Sequence, residues 1–248
     1  MNLTSPSIDQ SEVDKFSRIA NEWWDEGGKF KPLHQLNPIR IKYIKDKIIA
    51  HFGVSKKTKP LRSLKILDIG CGGGLLTVPL GNLGADILGI DVTEKNIKIA
   101  NAHKIKNNLA DNINFLHTTI EKLEQENEKF DVVITMEVVE HVADLNSFLK
   151  SSLNVLKPGG LIFISTLNKT LKSYLLAIIG AEYVLRWLPV GTHDWNKFLA
   201  PEEIISRLGE NNIKHSDPVG VSYNPLRQIW SLSEDISVNY MLYGAKPE

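Results

Sequence analysis

A short apolar run that ends in an acid and a glycine-rich turn constrains this chain's fold more than any other feature. The run Leu64–Leu67 reads as a buried strand, and it continues into the turn Asp68-Ile69-Gly70-Cys71-Gly72-Gly73-Gly74 and a helical pattern over Leu75–Leu83. Glycines at alternate positions let a ligand approach bare backbone, because no Cβ stands in the way. The helix N-terminus offers unpaired N–H groups and the positive end of a dipole to a bound anion. The segment therefore predicts a ligand site at the end of a strand.

The spacing of the glycines separates two kinds of ligand. A dinucleotide fingerprint needs Gly-x-Gly-x-x-Gly, and counted from Gly70 its third glycine would fall on Leu75. The observed pattern is acid-x-Gly-x-Gly-x-Gly. It resembles the first motif of class I S-adenosylmethionine (SAM) methyltransferases, where the acid faces the ligand's amino group. We therefore predict Asp68, Gly70 and Gly72 as cofactor-binding residues, and the pattern disfavours an NAD oxidoreductase.

Composition limits the class of protein. A chain of 248 residues fits one α/β domain with elaborations. Its 29 basic and 29 acidic residues are spread along the chain without a basic stripe, so we expect no nucleic-acid partner. The single cysteine, Cys71, suits a reducing compartment. The segment Met1–Lys15 carries acids and no apolar core, unlike a signal or transit peptide, so we expect an intracellular protein.

Strand-like runs alternate with helical patterns, which is typical of a doubly wound parallel sheet. The predicted fold is therefore α/β, a seven-stranded doubly wound Rossmann-like sheet whose last two strands form an antiparallel hairpin. The predicted strands are Lys65–Ile69, Asp86–Ile90, Ile113–His117, Phe130–Met136, Leu161–Thr166, Ile213–Val221 and Ile236–Gly244. Further helices are predicted over Thr93–Asn107, Asp144–Leu156 and Pro201–Leu208.

Two segments lie outside this alternation. Residues 1–60 form a predicted helical lid, with helices over Ser11–Trp23 and Pro38–Phe52 and a polar loop over Trp24–Asn37. The methyltransferase-like domain, residues 61–248, contains an insertion at 168–199. Both additions are expected over the carboxyl ends of the strands, where open α/β sheets bind ligands.

The insertion carries an amphipathic helical pattern. Over Leu171–Leu188, the polar residues Lys172, Glu182 and Arg186 share one narrow stripe, and most of the other positions are apolar. Such a helix fits a membrane interface or a long apolar ligand. A helix buried against the core or against a second copy of the chain is the alternative.

The ends of two other predicted strands add candidate cofactor residues. Asp91 follows the second strand, where an acid can accept hydrogen bonds from both ribose hydroxyls of an adenosine. Met136 ends the fourth strand and can pack on the adenine or the thioether, although a core methionine is the alternative.

The fourth strand runs into Glu137, Glu140 and His141, and three roles stay open for these residues. His141 suits a general base that removes a proton from a phenol, with Glu140 beside it. All three suit the ligand set of one divalent cation. They could instead brace the following loop. Further along, His193 in the polar cluster Gly191–Trp195 is another candidate base or substrate-orienting group.

Longer motifs resemble one family, the ubiquinone-biosynthesis O-methyltransferases, over nearly the whole chain. These motifs are Ala20–Asp25, Phe30–His34, Asn37–Arg40, Leu67–Gly74, Met136–Val142, Leu156–Gly160, Ser165–Asn168, Gly180–Tyr183, Gly191–Asp194 and Val238–Met241. The family methylates phenolic hydroxyls of a polyprenyl-hydroxyphenol early in the pathway and of demethylubiquinol at its end. The resemblance implies SAM contacts at Arg40, Gly70, Asp91 and Met136. Arg40 could clamp the methionine carboxylate with its fork of donors.

The resemblance also implies partners and a location. Mitochondrial relatives need a divalent metal such as Mg²⁺, and their acidic-histidine motif corresponds to Glu137, Glu140 and His141. The family's insertion is associated with anionic-lipid membranes and maps to about Lys172–Asp194. We therefore expect a bacterial protein in the cytoplasm, peripherally associated with the inner membrane and with other ubiquinone-biosynthesis proteins as partners. Methylation of another small phenol and a non-catalytic SAM- or lipid-binding module remain the alternatives.

Overall fold

The computed structural model describes residues 3, 5–54, 58–176, 178, 194–224 and 229–248. In these residues the helices are α1 Gln10–Ile19, α2 Lys31–Phe52, α3 Thr77–Asn82, α4 Glu94–Lys106, α5 Ile120–Gln125, α6 Leu145–Asn154, α7 Leu171–Ser173 and α8 Pro201–Glu210. The strands are β1 Lys65–Ile69, β2 Asp86–Asp91, β3 Ile113–His117, β4 Phe130–Met136, β5 Leu156–Leu167, β6 Lys214–His215, β7 Val219–Asn224, β8 Ile229–Ser233 and β9 Asn239–Ala245. Short 3₁₀ helices cover Ala20–Glu22, Val139–His141 and Trp195–Lys197.

The strands form one mixed sheet in the order β3-β2-β1-β4-β5-β9-β7-β8, with β6 paired to β9. The pairs among β1 to β5 are parallel, and the remaining pairs are antiparallel. This confirms the doubly wound α/β fold. The described residues contain nine strands rather than seven, because Pro218 separates β6 from β7 and the expected long loop contains β8.

The strand order reverses between β1 and β4. From β1 the chain builds β2 and β3 to one side of the sheet, whereas β4 and β5 lie on the other side. In open α/β sheets the carboxyl ends of the strands at such a reversal border a crevice, because their connections leave in opposite directions. The segment after β1 begins at Gly70 and the segment after β4 begins at Glu137, so both predicted site segments meet at this point.

Side chains of β1 alternate between two cores. Ile66 packs with residues of α2 and α3 on one face of the sheet, such as Ile44 and Leu80. Leu67 and Ile69 pack on the other face with residues of α5, α6 and α8. Because β4 is almost wholly buried as well, the centre of the sheet is covered on both faces, as predicted.

The N-terminal segment is more helical than predicted. The prediction of a loop over Trp24–Asn37 is wrong for the second half of that segment, because α2 already begins at Lys31 and contains Pro38. A proline inside a helix removes one backbone hydrogen bond, and burial of the α2 side chains Leu36, Ile44 and Ile48 offsets that loss.

Little of the predicted insertion helix can be compared with the structure. The helix α7 covers its first three residues. Apart from residues 174–176 and 178, the rest of the predicted helix Leu171–Leu188 lies outside the described residues, and so does His193.

Candidate active site

A cavity of about 230 Å³ opens at the reversal point of the sheet. One wall comes from the strand ends, with Gly70, Asp91 and Met136, and from the segment Glu137–Val142 after β4. The opposite wall comes from the N-terminal segment, between Ser7 and Leu33. Residues of the N-terminal segment therefore line the same space as the strand ends.

Asp91 is held at the end of β2 by backbone donors. Its Oδ2 accepts a hydrogen bond from Gly72 N at 2.9 Å, and its Oδ1 accepts one from Thr93 N at 2.7 Å. Burial raises the pKa of Asp91, and these two N–H donors oppose the rise. The side chains of Asn96 and Thr93 also hydrogen-bond to Asp91, and the residue lines the cavity.

Part of the glycine turn is covered by a side chain of the N-terminal segment. Gly70 and Gly72 have φ values of +69° and +56°, in the left-handed region that favours glycine. A Cβ at Gly72 would lie 2.3 Å from Cζ2 of Trp23, and a Cβ at Gly73 would lie 2.5 Å from the Cβ of Trp23. Gly70 lines the cavity and Gly72 does not. The prediction that Gly72 exposes bare backbone to the cofactor therefore needs correction: Trp23 occupies that surface.

Asp68 also departs from the prediction. Its side chain does not line the cavity; its Oδ2 accepts a hydrogen bond from Thr77 Oγ1 at 2.5 Å. Asp68 shares a strand face with Ile66, so it is directed towards α3. Burial raises its pKa to about 7, the Thr77 hydrogen bond opposes the rise and the charge of Asp91 adds to it. Asp68 therefore supports the turn from behind.

Arg40 and Met136 line the cavity. The guanidinium of Arg40 is buried, and its Nη2 lies 2.8 Å from Oε1 of Glu137. Since a guanidinium has five N–H donors, an ion pair at one nitrogen leaves donors for a ligand carboxylate. Glu137 itself has a φ of +56°, a costly value for a residue with a Cβ.

Glu140 presents a carboxylate that is only partly satisfied. It is 3% exposed, and its Oε2 accepts a hydrogen bond from Thr166 Oγ1 at 2.9 Å. Its Oε1 has no hydrogen-bond partner among the residues that the structure describes. Burial raises the pKa of Glu140, and the neighbouring charge of Glu137 adds to the rise. A buried, half-satisfied carboxylate on a cavity wall is a group that a ligand can complete.

His141 faces the cavity and has a carboxylate partner. Its Nδ1 lies 3.0 Å from Oε2 of Glu12, a residue of α1. Burial alone lowers the pKa of His141, but the hydrogen bond with Glu12 and the charges of Glu140 and Glu137 outweigh it, so the pKa is raised. The pairing makes the imidazole more basic than a solvent-exposed one.

The predicted ligand set for a divalent cation does not fit this arrangement. Glu137 is engaged by Arg40 and Ser165, Glu140 by Thr166, and His141 by Glu12. Within the part of the chain that the structure describes, no group of three Asp, Glu, His or Cys side chains is arranged to hold a metal ion.

Comparisons with known proteins decide the family. A family model described as a methyltransferase domain matches residues 67–164. The ubiquinone biosynthesis O-methyltransferase of Bartonella tribocorum is 52% identical over 244 residues, 98% of this chain and 98% of that protein. The protein of the same name from Pelagibacter ubique is 52% identical over 95% of this chain and 97% of its own length. The chain belongs to the ubiquinone biosynthesis O-methyltransferases.

A solved structure agrees on the fold. Magnesium protoporphyrin IX methyltransferase from Synechocystis PCC 6803, with bound SAH, matches with a TM-score of 0.67 over 96% of this chain and 100% of that chain. Its sequence identity is 19%, so this likeness concerns the fold alone. The fold is thus shared with a methyltransferase of a different name.

Two residues of this O-methyltransferase site were missed by the sequence analysis. Glu12 lies on the same face of α1 as Phe16 and Ile19, at the spacing i, i+4, i+7. An acid on an otherwise apolar helix face is a signal that could have identified it. Trp23 contacts the glycine turn and donates from Nε1 to Asn96 Oδ1 at 2.8 Å. No local pattern predicts that contact.

Proposed function

We propose that the chain transfers a methyl group from SAM to phenolic hydroxyls of polyprenylated ubiquinone precursors, at both O-methylation steps, in the cavity at the β1/β4 reversal. Sequence identity of 52% over nearly the full length to proteins named ubiquinone biosynthesis O-methyltransferase supports the reaction class. The structural observation that carries the proposal is His141, on the cavity wall and paired with Glu12, beside the unsatisfied oxygen of Glu140.

Four lining residues are the proposed holders of the cofactor. Gly70 offers backbone without a side chain, Asp91 accepts from ribose hydroxyls, Arg40 pairs with the carboxylate, and Met136 packs on the apolar part. Asp68 and Gly72 contribute indirectly, through Thr77 and through the hydrogen bond from Gly72 N to Asp91. When bound, SAM supplies a methyl group on a sulfonium, so the chain has to ionise and orient the phenol.

His141 is the proposed general base. With Nδ1 bonded to Glu12, its Nε2 is the nitrogen left to take the phenol proton. The hydrogen bond with Glu12 and the charges of Glu140 and Glu137 stabilise the imidazolium that forms, which raises the pKa of His141. Glu140 Oε1 is a proposed acceptor for the substrate's hydroxyl. His193, outside the described residues, stays a candidate for orienting the ring.

The test measures methyl transfer from radiolabelled SAM to two phenols, a hydroxyphenol of the early type and a demethylubiquinol analogue, each with a short prenyl tail and without a tail. We expect labelled ether product with both the early hydroxyphenol and the demethylubiquinol type, formed more efficiently when the tail is present. Binding of SAM without transfer to any phenol would contradict the proposal and indicate a non-catalytic module. Equal efficiency without the tail would indicate another small phenol as substrate.

We further propose that residues 1–60 act as a lid over the domain 61–248, and that the insertion, about Lys172–Asp194, contacts anionic lipid. The described start of the insertion supports lipid contact: Leu171 is 72% exposed, and Leu175 and Leu176 are about half exposed. Lys172 is paired with Asp235, so apolar contact rather than this charge carries the proposal. No helix among the described residues is long and apolar enough to span a bilayer.

Vesicle sedimentation tests this surface. The triple variant L171S/L175S/L176S should sediment less with phosphatidylglycerol vesicles than the unchanged chain. The variant I105S, at an exposed isoleucine of α4, is the matched control and should sediment normally. Equal sedimentation of all three proteins would refute lipid contact through these leucines. It would also remove their support for a location at the cytoplasmic face of the inner membrane beside other ubiquinone-biosynthesis proteins.

A further inference from the structure

One buried carboxylate of the cavity is not explained by cofactor binding. Glu12 is 5% exposed although it lies in the first turn of α1. Its Oε1 lies 2.9 Å from Lys15 Nζ and 3.1 Å from Lys197 Nζ, and its Oε2 lies 3.0 Å from His141 Nδ1. Two cations thus fix one oxygen, and the other is directed at the imidazole. Burying a carboxylate is costly unless it is paired in this way.

The same helix holds the His141 ring from a second direction. Phe16, one turn after Glu12, meets the imidazole edge-to-face with ring centroids 5.2 Å apart. A backbone hydrogen bond also joins the two segments, because Ala143 N, two residues after His141, donates to Ser7 O, before α1, at 3.0 Å. His141 is therefore oriented by α1 and the residues just before it.

We propose that Glu12 is a positioning residue for His141, so that docking of α1 completes the catalytic base. The inference rests on the proposed function. A neutral imidazole has one donor and one acceptor nitrogen. A carboxylate at Nδ1 keeps the proton there, which leaves Nε2 as the acceptor and fixes the ring's direction.

Lys197 extends this link to the insertion. It lies in the 3₁₀ helix Trp195–Lys197, near the C-terminal end of the insertion 168–199, and its Nζ is 2.7 Å from Asp9 Oδ2 as well as 3.1 Å from Glu12 Oε1. The ion pairs therefore join the C-terminal end of the insertion to the start of α1. Docking of α1 brings Glu12 to both His141 and Lys197.

The main experiment compares E12Q with the matched control D14N, an exposed acid on the same helix. E12Q keeps the side-chain size, but its amide group can donate to Nδ1 and favour the wrong tautomer. We expect kcat to fall about 10- to 100-fold, part of the ~10²–10⁴-fold that general base catalysis contributes. The Kd for SAM and the KM for the phenol should stay near those of the unchanged chain, and D14N should show normal kcat.

A double-mutant cycle separates positioning from general stabilisation. If Glu12 acts through His141, E12Q lowers kcat in the unchanged chain but has no further effect in H141Q. Additive losses would overturn the proposal, and so would normal kcat in E12Q. Normal kcat in H141Q would instead refute the proposed base itself, so the two failures are distinguishable.

Substrate acidity gives a readout that misfolding cannot imitate. A nitro-substituted phenol that is already ionised at the assay pH does not need the base. We expect the loss in E12Q to become much smaller with that substrate, and E12D, which keeps a carboxylate, to retain part of the activity on the ordinary phenol. An equal loss with both phenols would mean that Glu12 only supports the fold, which would overturn the inference.

Discussion

The two walls of the cavity are built by different kinds of contact. On the strand-end wall, backbone donors and neighbouring strands hold the polar groups, as with Gly72 N and Thr93 N on Asp91. On the N-terminal wall, side chains meet side chains from distant parts of the sequence, as with Glu12 and His141. The sheet therefore fixes the strand-end wall, which carries most of the proposed cofactor residues. The N-terminal wall, which is proposed to orient the base, depends on side-chain contacts that single substitutions can remove.

The largest expected effect falls where the two walls meet. H141Q should lower kcat by about 10²–10⁴-fold, because the phenol then keeps its proton. Binding of SAM should be unchanged, since His141 is not among the proposed cofactor residues Gly70, Asp91, Arg40 and Met136. Single-turnover methyl transfer and calorimetric titration measure the two quantities. H51Q, on the exposed end of α2, is the control; a normal kcat in H141Q would remove the functional difference between the walls.

The contact between Gly72 and Trp23 joins the walls and can be broken by one methyl group. G72A should lower the free energy of unfolding by about 2–4 kcal/mol, from the left-handed backbone and from overlap with the indole. Urea unfolding measures the loss, and in a W23A background the overlap part should disappear.

G53A is the control for backbone strain alone. Gly53 also has a positive φ, of +61°, but a Cβ there would meet nothing within 4 Å. The variant G53A should therefore lower the free energy of unfolding by only about 1–2 kcal/mol. Equal losses of unfolding free energy in G72A and G53A would show that Trp23 does not contact Gly72 closely in solution.

Asp68 tests whether the strand-end wall is supported from behind. Its pKa is raised from 3.8 to about 7, so between these pH values the folded state keeps a proton that the unfolded state releases. Stability contributed by this group is therefore lost as pH rises through that window.

D68N lacks this titration and should be less sensitive to pH. The difference in unfolding free energy, D68N minus unchanged chain, should grow by about 2 kcal/mol from pH 5 to pH 7. D86N, at the exposed start of β2, is the control. A constant difference across this range would mean that Asp68 is not the buried, proton-retaining support described above.

The smallest expected effect concerns the cofactor. D91N should weaken SAM binding about tenfold, because a charged acceptor is replaced by a neutral amide. The kcat at saturating SAM should be largely unchanged, since Asp91 does not touch His141. Calorimetric titration measures the affinity, again with D86N as the control on the same strand. A fall in kcat without a fall in affinity would contradict the division between the walls.

Sequence and structure agree where a local pattern decides the outcome. Strands β1, β3 and β4 begin and end at the predicted residues, because apolar runs bounded by turns set them. Asp91 and Met136 reach the cavity since they end strands beside the reversal. Alternation along β1 places Asp68 on the same face as Ile66, which is information that the glycine spacing does not contain.

The N-terminal contacts could not be predicted in the same way. Glu12 and His141 are 129 residues apart, and only the packing of α1 brings them together. The pressure of Trp23 on Gly72 likewise depends on tertiary structure, since a glycine turn has the same spacing whether a ligand or an indole covers it.

A crystal structure with S-adenosylhomocysteine and a hydroxyphenol analogue tests the central claim most directly. We expect the ribose hydroxyls within hydrogen-bond distance of Asp91 and the phenol oxygen within hydrogen-bond distance of His141 Nε2, with Glu12 still on Nδ1. A nucleoside bound away from the β1/β4 reversal, or a phenol oxygen out of reach of His141, would contradict the proposed site.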